Sequence, residues 1–353
     1  MAKLKPIGEQ VMVVAGASSG IGLATALRAA EKGAKVLLVS RNETALAGAC
    51  ERIRAEGGEA DYAIADVGEK ADVERAAAKA IERFGRIDTW AHVAGVSIFA
   101  RLLETPRDEH QQLFRTNYWG VVNAAEVAIP HLRERGGAFI VVGSIGSDMG
   151  SPILGAYAAT KHAAKGYLDS LRIELKADDA PVEITLIKPA GIGTPLPRNA
   201  ANHMDGEAKL PPPVYAPELV ADAIISAAER PTRELVVGGS GQMQLLLATH
   251  WPGLFDRMSA KAIPEMRDPG KPPTASNNLF APADGGEVGS AEQPGRNWSV
   301  YTAARLHPRA SLAASLVAGA ALVAGGRALA AYRRRPSAER ASLGVHSSRT
   351  QAA

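Results

Sequence analysis

Short apolar runs alternate with longer amphipathic stretches from Gln10 to about Gly239, and no other feature constrains the fold of this 353-residue chain as tightly. Residues 11–15, 36–39, 89–93, 139–142, 183–187 and 235–237 read as strands, with a weaker one at 62–65. Their continuous, β-branched character is what a sheet covered on both faces requires. Residues 21–32, 43–56, 70–84, 106–130, 156–177 and 217–229 read as helices. Strand followed by helix, repeated this often, implies an α/β fold on a mostly parallel sheet with right-handed crossovers. One helix start is legible at Thr105-Pro106-Arg107-Asp108. There a hydroxyl is expected to cap, a proline to open the first turn and an acid to face the helix dipole.

The pattern stops after Gly241. Residues 243–250 and 253–262 read as two short helices, and residues 264–308 collect Pro, Gly, Asp and Asn without periodicity. The expected organisation is a main domain over 1–245, with a mobile lid at 195–213, then a helical extension over 246–263. A mostly disordered linker over 264–308, a weakly apolar Ala/Gly-rich helix over 309–332 and a basic tail over 333–353 follow. The uncharged run 310–326 reaches roughly 25 Å as a helix, short of a ~30 Å hydrocarbon core. A span would also carry either the main domain or Arg333–Arg335 across the membrane, against the positive-inside tendency. A helix that touches a membrane surface or a partner protein through 309–335, and a soluble helix, both stay open.

Charge and cysteine usage narrow the partners. The net charge is +3, but the chain from Pro308 onward carries +6, which leaves the body at −3. A mildly acidic body argues against a nucleic-acid face. Cys50 is the only cysteine, so no intrachain disulfide forms and no cysteine zinc site exists. That fits a reducing, cytoplasmic setting. The eight histidines show no ligand spacing, and no metal is expected. The apolar run at 11–15 is short and leads into glycines, so no signal peptide is read.

The first strand runs into Gly16-Ala17-Ser18-Ser19-Gly20-Ile21-Gly22, and a helix follows. Glycines here permit a tight turn and a close approach of backbone to a pyrophosphate, which the helix N-terminus would hold. At the end of the next strand a carboxylate would mark an NAD site, whereas this chain has Ser40-Arg41. Arg41 offers a fork of donors for a 2′-phosphate, so NADP(H) is expected over NAD(H). Asp66 and Val67 fall where an adenine contact belongs, and Asp66 equally suits capping of the chain from Gly68 onward.

Ser144 follows the strand 139–142, Tyr157 lies thirteen residues on, and Lys161 four beyond that. The last two share one helix face. A phenol ionises near pH 10, and a neighbouring ammonium is expected to lower that value and make Tyr157 a usable acid-base group. With these residues in place, the chain closely resembles the classical short-chain dehydrogenase/reductase family over roughly residues 8–240. Gly16, Gly20 and Gly22 meet its glycine motif. Ser144, Tyr157 and Lys161 match its catalytic serine, tyrosine and lysine, and Asn117 in Asn117-Tyr118-Trp119-Gly120 its asparagine. The resemblance implies a single doubly wound Rossmann domain around a seven-stranded sheet, a homo-oligomer and no metal. It also implies a proton relay from Lys161 through a water at Asn117.

Two departures stand out. The family's Asn-Asn-Ala-Gly is His92-Val93-Ala94-Gly95, which keeps Ala94 and Gly95 against the cofactor. Its Pro-Gly is Pro189-Ala190-Gly191, with Thr194 still placed for the carboxamide. His92 reads as structural. Val96, Ser97, Ile145, Met149, Ile153, Leu154, Leu196 and Met204 are expected near the pocket, which favours an apolar ketone or secondary alcohol. The alternatives are a non-catalytic nucleotide-binding scaffold tethered by its C-terminal helix, and a redox-neutral enzyme such as an epimerase or dehydratase.

Overall fold

The computed structural model describes residues 4–274, 277–309 and 311–312. Seven parallel strands form the central sheet: β1 (Val11–Ala15), β2 (Lys35–Ser40), β3 (Glu59–Ile64), β4 (Thr89–His92), β5 (Gly137–Val142), β6 (Val182–Pro189) and β7 (Glu234–Val237). Their spatial order is β7-β6-β5-β4-β1-β2-β3. Val13 of β1 lies opposite Leu37 on one side and Trp90 on the other. Chain order reverses beside β1, so a crevice opens at the carboxyl ends of β1 and β4, where such sheets hold ligands. This is the expected doubly wound Rossmann fold.

Helices cover both faces: α1 (Gly20–Glu31), α2 (Glu43–Ala55), α3 (Lys70–Phe84), α4 (Arg107–Phe114), α5 (Gly120–Arg135), α6 (Gly155–Ala177), the single turn α7 (Leu196–Asn199) and α8 (Pro217–Glu229). The C-terminal extension adds α9 (Gly239–His250) and α10 (Pro252–Ala262). Trp90, Phe139 and Leu132 are buried with Val13 and Leu37 in a core shared with α3, α5 and α6. Buried β-branched residues explain why strands such as β1, β2, β5 and β6 were visible, whereas the edge strand β3, with only Ala60 buried, gave the weak signal. Cys50 is buried on α2, and burial pushes its thiol up to about 11, so it packs as an inert filler.

Local differences from the sequence reading have physical reasons. The helix expected over 106–130 is three pieces, with a π turn at Arg115–Trp119 between α4 and α5. Pro130 lies inside α5, whose last turn is held by the fully buried Leu132. The Thr105 hydroxyl does not cap α4; it donates to the Arg101 carbonyl at 3.2 Å and closes the preceding turn. Residues 195–213 carry a helical turn and two short pairings, Ala201–Asn202 against Ile98–Phe99 and Glu207–Ala208 against Arg267–Asp268.

The largest difference concerns 264–308, expected as a disordered linker. Residues 277–296 instead run back over the domain. Leu279 is fully buried. Asn278 N–H donates to Asn199 at 2.8 Å, Ser290 N–H to Gly193 at 2.9 Å and Arg296 N–H to Val214 at 2.9 Å. The partners are other loops, not chain neighbours, so the segment has no period to read. One compact unit extends to Thr302, and a second begins at Ala303. Of the second, only 303–309 and 311–312 are described, so the expected helix over 309–332 and tail over 333–353 lie almost wholly outside the described residues. Among the described residues no helix is long and apolar enough to cross a membrane.

The start of the sheet is fastened by Asp88. Its carboxylate accepts from Val11 N–H at 2.8 Å, from Lys5 at 2.5 Å and from Arg86 at 2.7 Å. Burial pushes this carboxyl up, but the two cations and the amide outweigh it and hold it below its ordinary value. A depressed folded value stabilises the fold above the unfolded carboxyl's range, and that stability is lost as pH falls through the folded value. Asp88→Asn is expected to cost about 2 kcal/mol at pH 7. In urea unfolding the deficit should shrink below pH 4.

Candidate active site

The turn after β1 is built on close backbone contact. Gly16 and Gly20 hold φ of 92° and 57°, open to glycine at no steric cost. A Cβ at Gly16 would stand 2.6 Å from the Ala94 nitrogen, and one at Gly22 2.0 Å from the Gly16 oxygen. Ser19 is the N-cap of α1 yet makes no side-chain cap. Of the first-turn N–H groups, that of Gly20 donates to the Glu287 carbonyl at 2.8 Å, and helix geometry leaves those of Ile21 and Gly22 without a partner inside the helix. Ser18, Ser19, Gly20, Ile21 and Gly22 line one side of a cleft of about 160 Å³; Ala94 and Gly95 line another. This narrow, glycine-bared cradle fits a dinucleotide pyrophosphate.

Arg41, Asp66 and Val67 line the same cleft at the ends of β2 and β3. Asp66 caps the chain that follows, its carboxylate accepting from Gly68 N–H at 2.9 Å. Arg41 is not a free surface cation. It donates to the backbone oxygens of Asn278 and, at 3.4 Å, Leu279. Burial lowers its pKa, opposed by the nearby Asp66 charge.

A second cavity, of about 240 Å³, adjoins the cleft and shares Ile21, Val93, Gly95, Thr194 and Leu196 with it. Ser144, Tyr157 and Lys161 line it, together with Pro189 and Gly191. Tyr157 and Lys161 project from α6, with Lys161 Nζ 5.5 Å from the Tyr157 ring centroid and 3.0 Å from the Val142 oxygen, to which it donates. The expected lowering of the phenol is reversed. Burial pushes Tyr157 up to about 12, opposed by its hydrogen bond with Ser144. Burial also brings Lys161 down to about 8. The π turn delivers Asn117, which bonds Val96 N–H and C=O at 2.9 Å each and Thr160 at 3.1 Å. Asn117 Oδ1 and Lys161 Nζ both flank Gly95, within 3.5 Å of where its Cβ would stand. Among the described residues no group of His, Cys, Asp and Glu is arranged to hold a metal ion.

The two departures are absorbed. His92 is buried at the end of β4 with neither ring nitrogen hydrogen-bonded. The Ala190 methyl packs against bare glycines, with Cβ positions at Gly238 and Gly241 only 3.0 and 2.9 Å from it. Of the expected pocket residues, Ser97, Ile145, Met149, Leu154 and Leu196 line the cavity. Val96 faces the dinucleotide cleft instead, and Ile153 and Met204 pack with Phe99 in a separate apolar cluster. Sequence reasoning missed Gln244, Phe255, Ser259 and Met266, which the extension brings to the cavity. The apolar face of 253–262 was the one available signal.

The fold and this paired cleft and cavity define a Rossmann-type oxidoreductase. The short chain dehydrogenase family profile matches residues 10–205, and the chain belongs to the short-chain dehydrogenase/reductase family. An uncharacterized oxidoreductase of Bacillus subtilis, YxnA, is 39% identical over 327 residues, covering 90% of this chain and 92% of its own. That span runs well beyond the family domain and takes in the 277–296 segment. An alcohol dehydrogenase from the archaeon Thermococcus sibiricus, solved with 5-hydroxy-NADP, superposes with a TM-score of 0.57 at 27% identity, covering 65% of this chain and 95% of that one. A Burkholderia phymatum short chain dehydrogenase/reductase in complex with NAD has the same fold, with a TM-score of 0.63 at 23% identity, covering 76% of this chain and 99% of that one.

Burial, with the Lys161 charge, pushes His92 from 6.5 down to about 3. Between those values the unfolded chain takes up a proton that the folded chain refuses, so stability falls as pH drops through this window. The slope from this residue approaches about 1.4 kcal/mol per pH unit. Unfolding titrations from pH 7 to 4 should show it, and His92→Asn should flatten it.

Proposed function

We propose that the chain is an NADP(H)-dependent oxidoreductase that interconverts an apolar ketone and a secondary alcohol. The observation that carries this reading is that Ser144, Tyr157 and Lys161 wall an apolar cavity continuous with the glycine cradle. Ile21 and Gly22 would hold the pyrophosphate on backbone N–H groups, and Arg41 a 2′-phosphate. Pro189, Gly191 and Thr194 would border the nicotinamide end. The nicotinamide, when bound, supplies or accepts the hydride.

The chain's own residues handle the proton. Ser144 donates to the substrate oxygen. Tyr157 delivers a proton to that oxygen in ketone reduction and removes it in alcohol oxidation. Its phenol stays protonated well above neutrality in this buried site, which suits the donor role. Lys161 steadies the charge that forms on Tyr157 when the proton leaves, and Asn117 holds the loop beside it. Ser97 has a buried hydroxyl without a hydrogen-bond partner on the cavity wall, suited to a second polar atom on an otherwise apolar substrate. The Thermococcus relative's NADP derivative supports the cofactor reading. A homo-oligomeric, cytoplasmic enzyme is the setting this reading carries, in keeping with its family and its single buried thiol.

The test is a fluorescence titration with NADPH and NADH, followed by turnover on a panel of apolar ketones. NADPH should bind about 10- to 100-fold more tightly, and Arg41→Ala should erase that margin. Tyr157→Phe should keep NADPH binding and lose about 10²- to 10⁴-fold in turnover. Tighter NADH binding contradicts the Arg41 assignment. Saturable binding without turnover on any carbonyl favours the scaffold.

A further inference from the structure

The segment 277–290 does more than pass over the domain. Asn278, Pro282, Ala283 and Asp284 line the dinucleotide cleft directly. Three of the contacts that place the segment fall on the cofactor-binding loops themselves. Glu287 C=O accepts from Gly20 N–H at 2.8 Å, Gly286 N–H donates to Ser18 C=O at 2.8 Å, and Asn42 donates to Ala283 C=O at 2.8 Å. Arg41 adds its donors to Asn278 and Leu279.

The anchor is Leu279. It is fully buried among Val96, Ile98, Leu113 and Ala156, with Tyr157 packed on the same cluster, and its carbonyl also accepts from Gln112 at 3.2 Å. A second fastening is steric. Gly285 sits so close that a Cβ there would meet the Ser18 oxygen and the Ala45 Cβ, each at 2.8 Å. Arg198 and Glu287 pair at 2.8 Å on the outer rim. An apolar plug, a glycine contact and a set of backbone bonds thus hold one strap across the adenosine end.

We propose that residues 278–287 are a built-in wall of the dinucleotide site, which fixes Arg41 for phosphate recognition and governs how fast the cofactor leaves. Two carbonyls hold the guanidinium at the cleft with part of its donor fork still free, so its rotamers are restricted before a phosphate arrives. Asp284 adds a carboxylate on the same wall and makes the balance between phosphate and hydroxyl sensitive to where the strap sits. A dinucleotide walled in by the strap leaves only when the Asn278–Glu287 contacts open. The inference rests on the reading of the cleft as an NADP(H) site.

The experiment compares the full chain with two variants that disturb the strap from different ends. Leu279→Ala withdraws the anchor, and Gly285→Val, at a partly exposed position, lifts the strap from Ser18 without touching the core. Dissociation of NADPH and of NADH is followed by stopped-flow fluorescence, with excess oxidised cofactor as the chase. Both variants should release both cofactors at least tenfold faster, and their NADPH-over-NADH affinity ratio should drop at least threefold. Release within twofold of the unaltered chain in both variants overturns the proposal. An unaltered chain that prefers NADH overturns the Arg41 reading instead, and the release rates then decide the strap alone.

Discussion

Backbone touching backbone at Gly16, Gly22 and Ala94 is the constraint on which the site depends. A side chain at Gly22 would fall 2.0 Å from the Gly16 oxygen, well inside any real contact. With the side chains absent, β1 turns sharply into α1, and the helix N-terminus faces the crevice beside β4. The sheet order creates that crevice, and the turn converts it into an anion-binding cleft. The same approach brings Gly95 beside Asn117 and Lys161, so the cleft and the Tyr157 cavity share a wall.

Burial sets the chemistry of that cavity more than charge pairing does. Lys161 lies near Tyr157, yet the phenol moves up and the ammonium down, because each loses solvent and gains little to replace it. A tyrosine in this state keeps its proton at neutral pH. His92 follows the same logic a strand away, held neutral by its enclosure.

The parts that were legible in the sequence are those whose signal is local. Strands such as 139–142 announce themselves through buried β-branched runs, and Tyr157 and Lys161 through helical spacing. Where the signal depends on distant partners, the reading weakened. Thr105 has the residue type of a cap but spends its hydroxyl on Arg101. Residues 277–296 have Pro and Gly in linker proportions and one decisive apolar residue, Leu279, whose pocket is assembled from four separate segments. Nothing periodic marks such a strap. Arg41 was found for its type and position, while its carbonyl partners more than 230 residues away in the chain were not.

The extension therefore belongs to the site in two ways: α9 and α10 complete the substrate cavity, and the strap completes the cofactor cleft. A crystal structure of the full chain soaked with NADPH tests this account most directly. It predicts the pyrophosphate on the Ile21 and Gly22 N–H groups, the 2′-phosphate on Arg41 under the strap, and the nicotinamide facing Tyr157 across the cavity. A dinucleotide found outside the cleft, or turned with its adenine toward Tyr157, would contradict it.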